Sequence, residues 1–77
     1  MAKHGLNTAL KTAVFDTGQH QERIAKAARI QPQKLSHVIH GRRELDEKER
    51  ARLLAVLARY GVHRTESELF SLVEEVA

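Results

Sequence analysis

The side chains best suited to recognising another molecule are crowded into one short stretch: Gln33, Lys34, His37, His40, Arg42 and Arg43. A glutamine amide donates and accepts at once, so Gln33 can pair with the N6/N7 edge of adenine, and Lys34 can donate to O6/N7 of guanine. Arg42 and Arg43 are permanently charged and suit phosphates whatever base follows. His37 and His40 lie three residues apart and could share a metal. A metal site needs three or four ligands, however, and no nearby acid completes one, so no metal is expected. Contact with an anion or a solvated face remains for them, and pairing with phosphate would strengthen binding modestly at mildly acidic pH. Ser36, Ser67 and Ser71 have no base arranged to activate them, and no glycine-rich phosphate loop is present. Neither catalysis nor a cofactor is expected.

Charge along the chain agrees with that concentration. Residues 1–43 hold eight Lys/Arg against two acids, a balance of +6, whereas residues 44–77 hold five against eight, a balance of −3. Four of the five histidines also fall in the first part. One end is built to meet an anion and the other is not. A chain of 77 residues allows a single domain, here taken as 1–77 with 1–5 as a flexible arm. Without cysteine, disulfides and thiolate-held zinc or iron–sulfur centres are excluded. The longest apolar run, Leu53 to Ala58, is far below the ~20 residues of a membrane span. The first residues lack the apolar core of a signal peptide, so a cytoplasmic protein with no membrane partner is expected.

Elements that could position these side chains are legible from caps and periodicity. Four glycines, one proline and ten alanines favour short helices over a sheet. Asn7 is a good N-cap for a helix reaching Phe15, with Leu6, Leu10, Ala13 and Val14 at helical spacing and Gly18 closing it. A second short helix starts at Gln21, with Ile24, Ala25 and Ala28 on one side. Pro32 opens a third, where its missing N–H costs nothing, and Gly41 stops it. Its buried stripe is Leu35, Val38 and Ile39. Asp46 with Glu49 suggests a reciprocal cap for a fourth helix, whose core residues are Leu53, Leu54 and Leu57. On that helix Glu47, Arg50 and Arg52 read as a solvated face. Thr65 with Glu68 repeats the cap for a last helix over 66–76.

Two short helices separated by a tight turn, the second basic and polar outside, match the helix-turn-helix pattern. The stretch Gln21-Glu22-Arg23-Ile24-Ala25, Ile30, and Leu35 through Arg42 resembles the phage repressor/Cro-like, or xenobiotic-response-element, family of DNA-binding domains. The resemblance runs on through Arg43-Glu44-Leu45 and Gly61-Val62 to Glu68-Leu69-Phe70, and so covers roughly residues 6–70. It implies an all-α, compact five-helix lambda-repressor-like domain whose helices 2 and 3 form the helix-turn-helix. It further implies that Gln33, Lys34 and His37 read bases, and that Gln21, His40, Arg42 and Arg43 meet the backbone of an operator in double-stranded DNA. Arg29 stands where the family commonly has the turn glycine, so the turn is expected to close without a freely left-handed residue. Pro32 fills a position that often reads a base, which narrows readout, and Gln19 stands where an apolar residue is common.

Leu69, Phe70, Leu72, Val73 and Val76 wrap more than one face of the last helix, more than a small domain is expected to bury. The family's habit of binding inverted half-sites as a two-fold dimer makes these residues the expected homodimer interface. With no effector domain, a repressor of phage or mobile-element type, acting by occupying its operator, is the simplest expectation. The alternative is a protein-interaction module, such as an antitoxin that holds a partner protein through its C-terminal helix. The positive charge gathered around Gln33 to Arg43 argues for DNA.

Overall fold

The computed structural model describes residues 6–70. Within them the chain forms five helices and no strand: α1 (Thr8–Asp16), α2 (Gln21–Ala27), α3 (Pro32–Ile39), α4 (Glu47–Arg59) and α5 (Glu66–Phe70). No helix among these residues is long and apolar enough to cross a membrane.

Three helices begin at a side chain that occupies orphan amide groups and α3 begins at a proline, whereas α2 starts after His20 with no side-chain cap. Asn7 Oδ1 accepts from the Leu10 amide and starts α1. Pro32 opens α3 with no N–H to satisfy. At α4 the reciprocal cap is complete, with Glu49 N donating to Asp46 Oδ1 at 2.7 Å and Asp46 N donating to Glu49 Oε1 at 3.0 Å. Thr65 and Glu68 repeat it at α5, at 2.8 and 3.2 Å.

Helices α2, α3 and α4 end through one recurring device, two backbone bonds closed around a left-handed residue. After α3 that residue is Gly41 (φ +77°), with Gly41 N donating to Val38 O and Arg42 N to His37 O. After α2 the same two bonds form, Arg29 N to Lys26 O and Ile30 N to Ala25 O, but the left-handed residue is Arg29, at φ +60°. The turn therefore closes through the left-handed region after all. For a residue with a Cβ this costs on the order of 1–2 kcal/mol, so something must hold it there.

The core is one cluster to which every helix contributes, including Leu10, Ile24, Leu35, Leu53, Leu57 and Leu69. Burying each such leucine or isoleucine stabilises by about 1.5–3 kcal/mol. Ala25 and Ala28 are fully buried, and these small side chains let α2 lie close against α3 and α4. Three details depart from the sequence reading. Leu6 is 46% exposed and does not join the α1 stripe. Leu54 is only half-buried, at the edge of the cluster. Arg50 and Arg52 are not simply solvated: both reach across to other elements. Arg50 donates to Leu45 O and, from Nε, to Glu66 Oε2, so it ties the start of α4 to the start of α5.

Asn7 is the polar hub of the interior. Besides capping α1, its amide Nδ2 donates to Leu69 O at 2.7 Å, and its backbone N–H donates to Ile39 O at 2.6 Å. One residue thus joins the start of α1, the last turn of α3 and α5.

Candidate nucleic-acid interface

The buried stripe of α3 is Leu35, Val38 and Ile39, which turns the opposite side of the helix outward. That outer side carries Gln33, Ser36, His37 and His40 at intervals of three and four residues, as neighbours along one helix face must be. Gln33 is exposed and His37 half-buried. Among the described residues neither side chain has a hydrogen-bond partner, so both are free to pair with a ligand. Ser36, not singled out from the sequence, lies between them on the same face.

Lys34 is placed differently from its expected role as a free donor. Its Nζ lies 3.0 and 2.9 Å from the two carboxylate oxygens of Glu49, with the lysine side chain 23% exposed. The reason is tertiary: the first turn of α4 passes the first turn of α3, and a lysine stem spans the gap. In the free protein this ammonium is committed to its neighbour. Glu49 serves both the cap and this pair, and the Asp46 N–H, followed by Lys34, holds its carboxyl below the usual value of 4.5.

A depressed carboxyl stabilises the fold fully above its ordinary value and loses that contribution as pH falls through the lower, folded one. Acid titration should therefore weaken the α3–α4 contact below about pH 4.5. In Glu49→Gln the acid limb of a stability-versus-pH curve, read by thermal unfolding, should be flatter over that window. An unchanged limb would show that Glu49 is not held this way.

Arg42 and Arg43 follow Gly41 and are exposed, and among the described residues their guanidinium groups have no ion-pair partner. They can meet a phosphate without breaking an internal contact. His40 caps α3, and its Nδ1 donates to Ser36 O at 2.8 Å. Because a carbonyl only accepts, the proton of neutral His40 sits on Nδ1, and Nε2 can donate to a phosphate only in the imidazolium form. Gln21 is the first residue of α2 and is half-buried. Across the site Gln33, His37, Arg42 and Arg43 are brought together on or just after α3. Gln21 lies on the neighbouring helix.

The expected dimer residues divide. Leu69 is 1% exposed and belongs to the chain's own core, so it has no surface left for a second copy, and Phe70 is half-buried against the same cluster. Leu72, Val73 and Val76 lie outside the described residues.

Arg52, expected on a solvated face, instead reaches the α2–α3 turn. From the third position after Glu49 on α4, its Nε donates to Ala28 O at 2.8 Å and its Nη2 reaches Arg29 O at 3.4 Å. These carbonyls belong to the end of α2 and to the left-handed residue itself. A spacing of three could show that Glu49 and Arg52 share a helix face, but not which element that face meets. No protein-family model, curated protein or solved structure matches the chain.

Proposed function

We propose that this chain is a sequence-specific binder of double-stranded DNA and a transcriptional regulator, of the phage repressor/Cro-like helix-turn-helix kind, with α2 and α3 as the two helices. The observation that carries the reading is the outer face of α3. Two side chains able to pair with base edges, Gln33 and His37, stand there without partners among the described residues, and two guanidinium groups with no ion-pair partner among those residues, Arg42 and Arg43, follow directly. An eight-residue helix anchored by Leu35, Val38 and Ile39 is a rigid rod, and the major groove is wide enough for one helix. In this reading α3 enters the groove, and the arginines grip phosphates beyond its end. Two copies related by a two-fold axis would address half-sites about 34 Å apart and repress by occupying the operator.

Selection from random duplexes, followed by gel shifts on the enriched sequence, tests this. An enriched inverted repeat is expected, whereas uniform, salt-sensitive binding alone would sink sequence-specific readout. Gln33→Ala and His37→Ala should each relax the preference at a defined base pair by ~1–3 kcal/mol. Arg42→Ala should weaken all sequences about equally and reduce the salt slope by about 0.9, as loss of one phosphate contact requires.

A further inference from the structure

The α2–α3 turn has an unusual construction. Its closing residue is an arginine in the conformation that glycine takes after α3, and that arginine's own side chain is exposed. Nothing in the local sequence favours this conformation. Hydrophobic docking of Ile30 and the two backbone bonds to Ala25 and Lys26 carry part of the strain. The remaining polar contacts come from α4. Arg52 places two donors on the carbonyls of residues 28 and 29, where the negative end of the α2 dipole also favours a cation. One turn earlier on the same face, Glu49 holds Lys34 in the first turn of α3. The amino-terminal end of α3 is thus gripped from α4 on both sides of Pro32.

We propose that Arg52 is a positioning residue for DNA readout: by holding the left-handed turn at Arg29 closed, it sets where Gln33 and the start of α3 meet the base edges. This rests on the DNA-binding reading above. Arg52 touches no DNA in this scheme, because its guanidinium is turned onto the α2 carbonyls. A displacement of about 1 Å at the start of α3 would be enough to misalign a paired hydrogen bond to a base.

The test uses the whole chain with the selected duplex and a scrambled duplex of equal length, each titrated over a salt series, beside thermal unfolding of every variant. Arg52→Ala should lose about tenfold in affinity for the selected duplex, a factor equal to one well-made hydrogen-bonding interaction. Affinity for the scrambled duplex and both salt slopes should stay unchanged. Arg52→Lys, which keeps the apolar stem and one donor, should fall between. Arg29→Gly should restore most of the lost preference in the Arg52→Ala background, because glycine holds φ +60° without assistance. Equal weakening on both duplexes with a reduced salt slope would make Arg52 a phosphate contact and overturn the proposal. So would full retention of preference in Arg52→Ala, or failure of Arg29→Gly to rescue it. Should Arg52→Ala fail to fold, Arg52→Lys with and without Arg29→Gly carries the same comparison. No preference for any duplex in the parent protein would instead remove the DNA reading itself, and this proposal with it.

Discussion

Leu35→Ala should lower the free energy of unfolding by about 2–5 kcal/mol and, under the proposed function, abolish preferential DNA binding at temperatures where the parent protein is stable. Leu35 is fully buried and sits in the middle of the eight-residue α3, with Lys34 and Ser36 on either side. A domain of this length has a total stability of roughly 4–12 kcal/mol, so the change removes a large fraction of it. The cavity would open directly beneath the outer face, so the rod that presents Gln33 and His37 would lose its main anchor. Urea unfolding gives the measurement, with an unchanged slope confirming that two-state behaviour persists. Leu54→Ala is the natural control, since its side chain is only half-buried and should cost less. A loss below about 1 kcal/mol for Leu35→Ala would contradict the assignment of α3 to the core.

Asn7→Ala carries the second large effect, about 2–4 kcal/mol. Removing an N-cap costs roughly 1 kcal/mol, and leaving the buried Leu69 carbonyl without its donor adds about 1–3 kcal/mol. The two contributions separate by substitution. Asn7→Ser keeps a capping oxygen for the Leu10 amide but cannot reach Leu69 O, so it should recover only the cap. Asn7→Asp keeps the acceptor and sets a carboxylate against a carbonyl, so it should be no better than serine despite its shape. Amide exchange along α5 reports the second contribution alone: it should accelerate in all three variants. Unchanged protection in α5 would mean that the Asn7–Leu69 bond does not hold that helix to the rest.

Much of the helical plan was legible because its signals are local. Asn7, Pro32, Asp46 with Glu49, and Thr65 with Glu68 each act within four residues, and the helices start where these side chains stand. Glycine after a helix is equally local, as at Gly41. The α2–α3 turn escaped the same logic because Arg29 has no intrinsic preference for the conformation it adopts. Part of what holds it comes from residue 52, more than twenty positions away, and no local rule contains that contact.

The same contrast separates the candidate site from its support. Residue types and helical spacing alone placed Gln33 and His37 on one face, with Arg42 and Arg43 just beyond its end, because a buried stripe at 35, 38 and 39 leaves only one side outward. Identical side-chain chemistry at Lys34 read as a free donor, and only the approach of α4 decided that Glu49 takes its charge. Leu69 could likewise serve a second copy or its own core with equal hydrophobicity, and the packing of α5 against α1 decided for the core. Periodicity specifies which residues share a face. Which other face lies opposite is a property of the assembled helices, and that is where Lys34, Arg52 and Leu69 acquired their roles.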